Sequence, residues 1–212
     1  GRYVYAYYTT ENGKDVFKEQ VNGKENRLTA REMAESGANE GLLIVAEHQS
    51  GGRGRLGRSF YSPQGTGLYF TLVLRPDFSA DDCCLITPAA AVAVSRAVKK
   101  VLGLETQIKW VNDIFYNNKK VCGILCESKL SANENKMDYV VLGIGINLYT
   151  PKNEFPDEIK NIAGALTNKT EVDFASKLLA EIVNEFLCLY KNITEVSFLT
   201  EYNQRLMLKG KE

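Results

Sequence analysis

Two strand-like segments in the middle of the chain are separated by Asn117-Asn118-Lys119. The flanking patterns predict strands from Gln107 to Tyr116 and from Lys120 to Glu127, and asparagine accepts the positive φ angles that a tight turn requires. A hairpin imposes antiparallel pairing on its two strands. A sheet built only from parallel strands and helical crossovers is therefore excluded.

Periodic patterns elsewhere in the chain alternate between strand and helix. The polar stretch from Glu11 to Glu25 is typical of an exposed loop or a weak hairpin. Asn26 and Thr87 are expected to cap the helices that follow them. Because hairpins outnumber strand-helix-strand units, the predicted fold is α+β, with a mixed, largely antiparallel sheet flanked by helices. The remaining predicted strands are Tyr3 to Thr9, Leu42 to Glu47, Gly67 to Leu74 and Met137 to Leu148, and the predicted helices run from Asn26 to Glu35, Thr87 to Leu102, Asp173 to Tyr190 and Glu195 to Leu208.

Composition excludes several classes of protein. The 212-residue chain has 26 Lys+Arg and 26 Asp+Glu, so it has no net charge that would attract nucleic acid. No apolar stretch reaches membrane-spanning length, and a cytoplasmic protein is expected. The five cysteines are an odd number without a Cys-x-x-Cys pair, which indicates free thiols. His48 is the only histidine, so the chemistry is expected to depend on Lys, Arg, Asp, Asn and backbone amides.

The segment from Gly51 to Arg58 combines four glycines with three arginines. It contains the Gly-x-Gly-x-x-Gly spacing of dinucleotide-binding sites, but those sites need a helix that begins among the glycines. The residues from Ser59 to Gly67 lead into a strand, so no such helix is expected. Glycines let backbone amides approach an anion closely, and guanidinium groups bind phosphate or carboxylate oxygens. The segment predicts a loop that binds a phosphate-bearing ligand, and a solvated surface loop is the alternative.

A second group of charged residues lies on the predicted hairpin. On one strand from Gln107 to Tyr116, Lys109 and Asp113 share a face. Antiparallel pairing about the turn brings Lys120 towards Asp113. Charges of this kind are costly to bury without partners, which favours a ligand site. A surface ion pair between Asp113 and Lys120 is the alternative.

Five motifs in a fixed order resemble the catalytic domain of biotin protein ligases, and together they cover roughly residues 40 to 166. The resemblance implies the fold of the biotin and lipoate ligases and of class II aminoacyl-tRNA synthetases. It also implies an enzyme in which biotin attacks the α-phosphate of ATP to give biotinyl-5′-AMP, and a lysine of a biotin carboxyl carrier domain then takes the acyl group. The motifs are Gly52-Arg53-Gly54-Arg55-Leu56-Gly57-Arg58 with Ser62-Pro63, Gly67-Leu68-Tyr69, Lys109-Trp110-Val111-Asn112-Asp113, Lys120-Val121-Cys122-Gly123-Ile124-Leu125 and Gly143-Ile144-Gly145-Ile146-Asn147.

The resemblance assigns roles to individual residues. Lys120, Asp113 and Arg55 are the implied catalytic residues: Lys120 bridges the biotin carboxylate and the α-phosphate, and Asp113 orients the acceptor lysine or a metal. Phe60 is implied to stack on adenine, although a core aromatic remains the alternative for this residue. Mg²⁺ is implied together with ATP, and no definite metal ligand is assigned. The implied biotin- and adenylate-binding residues are Gln49, Gly52, Arg53, Gly54, Arg58, Phe60, Lys109, Asn112, Gly123 and Asn147.

The chain departs from the family pattern at three places. Val111 stands where the family has proline. The Asp-Ser-Thr-Asn motif that binds biotin in the family has two candidate counterparts, Thr9-Thr10-Glu11-Asn12 and Glu25-Asn26. Residues 1–208 are expected to form the catalytic domain, and residues 209–212 are expected to be a tail at the point where the family usually continues into a small C-terminal β-barrel.

The resemblance implies the biotin carboxyl carrier protein or domain of acetyl-CoA carboxylase as the protein partner. DNA binding is not expected, because no N-terminal segment is long enough for a helix-turn-helix and the net charge is zero. Relatives often dimerise edge to edge, and the strand from Met137 to Leu148 is the candidate for such a homodimer. Two other functions stay open at this point: a lipoate-protein ligase, and a non-catalytic protein that binds biotin or a nucleotide.

Overall fold

The computed structural model of the protein describes residues 4–9, 16–21, 25–132, 135–168 and 174–207. Within these ranges it contains eight strands and four α-helices, which confirms the α+β class. Most of the defined pairings are antiparallel, and isolated bridges such as the one between Lys120 and Ala163 are parallel. The predicted mixed, largely antiparallel sheet is therefore confirmed. The predicted tail at 209–212 lies outside the described residues.

The chain divides into two compact units that are interleaved along the sequence. The first unit comprises Gly1–Cys83 and Leu125–Gly145, and the second comprises Cys84–Ile124 and Ile146–Glu212. Two long strands, Lys119–Leu130 and Met137–Asn147, contribute residues to both units. A boundary between the units therefore falls inside each of these strands.

The first unit is built on antiparallel strands. β1 (Val4–Thr9) and β2 (Val16–Val21) form a hairpin, which confirms that interpretation of the polar N-terminal stretch. β3 (Leu43–Ala46) pairs with β1 on one side and with β4 (Gly67–Leu74) on the other. With β7 (Lys119–Leu130) and β8 (Met137–Asn147), the strand order of this unit is β2-β1-β3-β4-β8-β7. Because β8 has a neighbour on both sides, it is not an edge strand, so the expectation that this strand forms an edge-to-edge contact is wrong. The homodimer itself stays a prediction.

One helix, α1 (Asn26–Glu35), packs on β3 and β4 in the first unit. Asn26 is the first helical residue and not the N-cap that the sequence suggested, because its side-chain oxygen accepts a hydrogen bond from Thr71 Oγ1. The chain leaves the helix through Gly37, whose φ of 93° favours glycine. Small residues on the inner face let the helix approach the sheet closely. The buried cluster consists of Ala30, Ala34, Leu42, Ile44, Ala46, Val73, Tyr139 and Val141.

The second unit has α2 (Ile86–Leu102) at its centre, packed against α3 (Phe174–Tyr190) and α4 (Leu199–Arg205). Alanine and valine are buried along most of α2, and their small size permits close helix packing. The helix ends as predicted at Gly103, whose φ is 70°. The expected cap at Thr87 is wrong, because the helix already begins one residue earlier and has no side-chain cap.

Three strands of the second unit form two consecutive antiparallel hairpins. β5 (Gln107–Lys109) pairs with β6 (Asp113–Tyr116), and β6 pairs with the first half of β7. The prediction of one continuous strand from Gln107 to Tyr116 is wrong, because the chain turns at residues 110–112. The turn between β6 and β7 is confirmed: Asn117 and Asn118 have φ angles of 48° and 59°.

Three other predictions can be compared with the described residues. None of the helices in these ranges is long and apolar enough to cross a bilayer. All five cysteines are free thiols, as predicted. The last predicted helix is confirmed only over α4, because Ile193–Glu195 forms a separate 3₁₀ turn.

Candidate active site

The glycine- and arginine-rich segment of the first unit folds back on itself as a narrow hairpin, here called the arginine loop (residues 49–62). Gln49 and Ser62 pair at its base, and Arg53 and Ser59 pair nearer its tip. The backbone N–H of Gln49 donates to the Ser62 carbonyl at 3.1 Å. The two arms are therefore held together by backbone contacts.

The tip of the arginine loop is a single 3₁₀ turn, Arg55–Gly57. Leu56 and Gly57 have φ angles of 56° and 75°, and the Leu56 side chain is 91% exposed. The Gly54 N–H donates to the Arg58 carbonyl at 2.7 Å, which closes the turn. No α-helix begins among these glycines, so the dinucleotide-binding alternative is excluded.

Gly52 is required by the close approach of the two arms. The Phe60 N–H donates to the Gly52 carbonyl at 2.7 Å. A Cβ atom at Gly52 would lie 2.5 Å from the Phe60 carbonyl oxygen and 2.8 Å from Ser62 Oγ. The corresponding atom at Gly54 would be in ordinary contact, with its nearest neighbour at 3.6 Å. Only the first of these two glycines is therefore required by packing.

The three arginines of the loop, Arg53, Arg55 and Arg58, all have exposed side chains. Their like charges repel one another at short spacing, and an anion among them would offset the repulsion. Not every backbone amide is available for such an anion, because the N–H groups of Gly54 and Arg58 already donate within the loop. The guanidinium groups are thus the principal candidates in the loop for contact with an anion.

Phe60 is partly exposed and packs against the strand that carries the last motif. A Cβ atom at Gly145 would lie 2.8 Å from the Phe60 ring, so the ring lies directly against the glycine backbone. The Phe60 ring also meets Tyr69 edge to face, with 6.4 Å between centroids. Burial raises the pKa of Tyr69 to about 12, although a hydrogen bond with Thr66 acts in the opposite direction. These packing contacts are typical of a core aromatic residue, although Phe60 is only partly buried.

A buried polar cluster lies at the base of the arginine loop. The Asn26 N–H donates to Gln49 Oε1 at 3.2 Å, and Gln49 Nε2 donates to Ser62 Oγ at 3.4 Å. Thr71 donates to Asn26 as described above, and Asn26, Ser62 and Thr71 are all buried. Glu25 reaches the same region, because its carboxylate lies directly against the α-carbon of Gly51. The other candidate for the biotin motif, Thr9-Thr10-Glu11-Asn12, lies outside the residues whose side chains the structure describes.

Lys120 and Asp113 form an ion pair in the second unit, with 2.7 Å between Nζ and Oδ1. Lys120 is the register partner of Phe115, and Asp113 is the partner of Gly123, with an irregularity between the two pairs. Cross-strand partners point to the same face, so Lys120 reaches Asp113 diagonally. The predicted contact is therefore present, although the two residues are not directly opposite each other.

Lys109 adds a second ammonium group on the same face. It is the register partner of Asp113 across β5 and β6, because the chain turns where one strand was expected. Its Nζ lies 5.6 Å from the centre of the Phe115 ring, in cation–π geometry. Two lysines thus accompany one aspartate, so the face has an excess of positive charge that suits an anionic ligand.

Asn112 fixes the turn between β5 and β6 to the next strand. Its Nδ2 donates to the Ile124 carbonyl, and the Ile124 N–H donates to the Asn112 carbonyl, each at 2.9 Å. Gly123 lies opposite Asp113, so β7 presents no side chain at that register position. Beneath this face, burial raises the pKa of the Cys122 thiol above its usual range. The thiol is consequently protonated and unsuited to act as a nucleophile.

Asn147 is buried at the end of β8, and its Nδ2 donates to the Gly164 carbonyl at 3.0 Å. Gly164 belongs to a segment that the sequence reasoning missed, residues 162–164, here called the strap. It pairs in parallel with β7 at Lys120 through the bridge to Ala163. One signal was available in the sequence, since Gly164 is the only glycine between Gly145 and Gly210.

The predicted site residues therefore form two groups, one in each unit. Within each group the structure brings the members together around a hairpin, except that Asn147 lies at the end of β8 and is linked to Lys120 through the strap. The first group is Gln49, Gly52, Arg53, Gly54, Arg55, Arg58 and Phe60, and the second is Lys109, Asn112, Asp113, Lys120, Gly123 and Asn147.

The described residues do not fit a magnesium site made by the protein alone. They contain no cluster of three or more His, Cys, Asp or Glu side chains that would hold a metal ion. Asp113 is a single carboxylate, and it is already paired with Lys120. Mg²⁺ is commonly bound through one or two carboxylates together with substrate phosphates, so a nucleotide would have to supply most of its ligands.

Comparison with known proteins agrees with these geometric observations. Residues 19–147, more than half of the chain, match the Biotin/lipoate A/B protein ligase family. The chain belongs to this family. A similar curated protein is the bifunctional ligase/repressor BirA of Bacillus subtilis, which is 45% identical over 139 residues. That match covers 66% of this chain and 42% of BirA, so the chain spans less than half the length of this relative.

Solved structures of biotin protein ligases have the same fold as this family member. The Aquifex aeolicus enzyme in complex with biotin and ATP is 28% identical, with a TM-score of 0.67 over 87% of this chain and 75% of that one. The Leishmania major enzyme in complex with biotinyl-5-AMP is 25% identical, with a TM-score of 0.71 over 89% of this chain and 80% of that one. The predicted resemblance and the predicted fold are thereby confirmed.

Proposed function

We propose that the protein is an ATP-dependent ligase that converts biotin to biotinyl-5′-AMP and transfers the biotinyl group to a lysine of a carrier domain. The observation that carries this proposal is the cationic face formed by Lys109, Asp113 and Lys120 in a member of the biotin/lipoate ligase family. The arginine loop supplies further guanidinium groups. Both steps move negative charge among carboxylate and phosphate oxygens, so electrostatic stabilisation can provide most of the catalysis.

In the first step, a carboxylate oxygen of biotin attacks the α-phosphorus of ATP, and the bond to the leaving pyrophosphate breaks. Lys120 would donate hydrogen bonds to the biotin carboxylate and to an α-phosphate oxygen. Arg53, Arg55 and Arg58 would contact phosphate and carboxylate oxygens, where charge-assisted contacts are strongest. Lys109 would add positive charge beside Lys120, since both lysines accompany Asp113 on one face.

In the second step, the amine of the carrier lysine attacks the acyl carbon of the adenylate, and AMP leaves. Asp113 would orient this amine by accepting a hydrogen bond from it. Its present partner is the ammonium group of Lys120. Once Lys120 turns to the ligand oxygens, the carboxylate can accept the incoming amine. Asn112 and Gly123 support this step by fixing the turn and by presenting no side chain opposite Asp113.

The polar cluster at the base of the arginine loop would receive the ureido ring of biotin. Gln49 contacts Asn26 there, which favours Glu25-Asn26 as the counterpart of the biotin motif. The ureido ring needs hydrogen-bond donors and acceptors in a buried setting, and this cluster offers amide, hydroxyl and carboxylate groups. Phe60 would meet adenine with the accessible part of its ring, because every base has a face for stacking.

Magnesium would enter as the counter-ion of ATP, because the described residues do not form a metal site of their own. The protein partner would be the biotin carboxyl carrier protein or domain of acetyl-CoA carboxylase. A reducing compartment such as the cytoplasm suits the protein, since none of its five cysteines forms a disulfide.

A direct test incubates the protein with biotin, MgATP and a purified carrier domain, followed by mass spectrometry of the carrier. We expect one biotinyl group on the acceptor lysine and none on a carrier in which that lysine is replaced by arginine. No modification of the carrier by folded protein would contradict the proposal.

A further inference from the structure

We infer that the strap, residues 162–164, is a positioning element that holds Lys120 in place, and that Asn147 acts on Lys120 through it. This inference rests on the proposed function for its catalytic meaning, while the contacts themselves are features of the fold. It gives Asn147 a positioning role in addition to the nucleotide contact that the resemblance implies.

The strap binds both backbone polar groups of Lys120, its N–H and its carbonyl. The Lys120 N–H donates to the Ile162 carbonyl at 2.7 Å, and the Gly164 N–H donates to the Lys120 carbonyl at 2.9 Å. The strap therefore fixes the backbone of Lys120, whereas its side-chain ammonium group contacts Asp113. A displacement of the strap would therefore move the α-carbon of Lys120 and the base of its side chain.

Asn147 fixes the other side of the strap. The residue is only 8% exposed, and its Nδ2 donates to the Gly164 carbonyl at 3.0 Å. The strap continues into Leu166, whose N–H donates to the Asn147 carbonyl at 3.1 Å. The chain of contacts runs from Asn147 to Gly164 and from Gly164 to Lys120, and all three residues belong to the second unit.

Close packing allows only glycine at position 164. A Cβ atom there would lie 2.5 Å from the Lys119 Cβ and 3.8 Å from its Cα. The Lys119 ammonium group also holds the chain just before the strap, since it donates to the carbonyls of Lys160 and Asn161 at 3.0 and 2.7 Å. Any side chain at position 164 must therefore push the strap away from β7.

The consequence for chemistry follows from the position of the Lys120 ammonium group. Its Nζ lies 2.7 Å from Asp113, and the proposed function requires the same nitrogen to reach the reacting oxygens. Misplacement of a catalytic group by a fraction of a bond length lowers the rate strongly, although the group itself is still present. The strap variants should therefore lower kcat for adenylate formation more than they raise KM for ATP or biotin.

The test measures the accessibility of the Lys120 amine in the ligand-free protein by trace acetylation with acetic anhydride and mass spectrometry. Lys129, which lies in the first unit, serves as the internal reference. We expect Gly164→Ala and Asn147→Ala to raise Lys120 acetylation about threefold relative to Lys129, because the ion pair to Asp113 opens. In the same variants, kcat for biotin-dependent pyrophosphate exchange should fall about tenfold or more.

Two further variants separate positioning from general instability. Gly103→Ala is a matched control, because it too introduces a methyl group that strains the second unit. The strain there comes from the positive φ of Gly103, at the end of α2 and not at the strap. This variant should change neither acetylation nor kcat in the folded protein. Lys119→Gly removes the clashing Cβ together with the ammonium contacts to Lys160 and Asn161, so Lys119→Gly alone is the reference for the double variant. Adding Gly164→Ala to Lys119→Gly should raise Lys120 acetylation less than adding it to the wild type.

The outcomes distinguish this inference from the proposed function. Unchanged Lys120 acetylation in folded Gly164→Ala and Asn147→Ala would overturn the inference, whatever the enzyme activity. Raised acetylation without any biotin-dependent exchange by the wild-type protein would overturn the proposed function, and the positional role of the strap would stand. Equal acetylation in Gly103→Ala and Gly164→Ala would also overturn the inference.

Discussion

The ammonium nitrogen of Lys120 lies 2.7 Å from a carboxylate oxygen of Asp113, although neither residue is the other's partner in the strand register. Lys120 lies opposite Phe115, and its long side chain crosses diagonally to Asp113. The pair keeps two opposite charges together on a partly exposed face until a ligand provides other partners. Under the proposed function, the lysine would turn to the anionic substrate and the aspartate to the incoming amine.

Replacing Lys120 tests the first step. We expect Lys120→Ala to lower kcat for biotin-dependent pyrophosphate exchange by about 10²- to 10³-fold, because a donor to a developing anion is lost. Arg55→Ala should have an effect of the same order, since it removes a charge-assisted contact. Lys129→Ala in the first unit is the control and should be inert. Wild-type exchange rates in both Lys120→Ala and Arg55→Ala would count against the assigned site.

Asp113→Asn should separate the two steps. The amide keeps the shape of the carboxylate but is a weak acceptor for the amine, so transfer to the carrier should fall about 10²-fold. Adenylate formation should fall much less, because Lys120 is retained. Single-turnover transfer from preformed adenylate measures the difference, and an equal loss in both steps would contradict this role.

Gly52 tests the geometry of the arginine loop. Gly52→Ala places a methyl group 2.5 Å from the Phe60 carbonyl oxygen, so the two arms must separate. Gly54→Ala meets its nearest neighbour at 3.6 Å and should be milder. We expect at least a tenfold larger loss of kcat/KM in Gly52→Ala, since a change of about 1.4 kcal/mol corresponds to tenfold. Equal effects of the two substitutions would show that packing of the arms does not matter.

Gly145 tests the position of Phe60. Gly145→Ala brings a methyl group to 2.8 Å from the Phe60 ring and must displace it. If the ring stacks on adenine, KM for ATP should rise about tenfold, in line with the free energy of base stacking. Gly143→Ala, on the same strand, meets its nearest atom at 3.4 Å and is the matched control. An unchanged KM for ATP in Gly145→Ala would favour a purely structural role for Phe60.

Glu201 tests the acid stability of the second unit. Burial alone would raise the pKa of Glu201, but hydrogen bonds from Arg96 and Arg205 outweigh it and lower the pKa. The stabilisation is therefore present above the unfolded pKa, near 4.5, and is lost as the pH falls through the lower folded value. The group is partly exposed, so Glu201→Gln should cost no more than about 1 kcal/mol at pH 7. Thermal unfolding should show a smaller difference in Tm between Glu201→Gln and the wild type at pH 3 than at pH 7.

The exposed Glu158 provides the control for that measurement. Glu158→Gln should leave Tm close to the wild-type value at both pH values. A Tm difference for Glu201→Gln that is the same at pH 7 and pH 3 would contradict the assignment to its ion pairs.

Local chemistry predicted much of the fold. The turn at Asn117-Asn118 was predictable because only a few residues accept two successive positive φ angles. Gly103 was predictable as a helix end for the same physical reason. The break of the strand at residues 110–112 was not predictable, because the residues on both sides still alternate as a strand does. Lys109 and Asp113 were nevertheless correctly predicted to share a face. The prediction relied on alternate residues of one strand, whereas in the structure the two residues are cross-strand partners, which also point to the same face.

The candidate site was predicted less completely. The arginine loop and the pair of Lys120 with Asp113 follow from charge and spacing in the sequence. The strap was missed, because its contacts with Lys120 are made by backbone groups of residues about 40 positions away. The contact of Asn147 with a nucleotide stays a prediction, and the donation of its amide to the Gly164 carbonyl was not expected. Long-range backbone pairing of this kind leaves no periodic pattern in the sequence.

The most direct test of the account is ATP–pyrophosphate exchange measured with biotin, with lipoate and with neither acid. We expect exchange with biotin only, and its loss in Lys120→Ala protein that retains the wild-type Tm. Exchange supported by lipoate instead of biotin, or no biotin-dependent exchange by the folded wild-type protein, would contradict the claim that this chain forms biotinyl-5′-AMP.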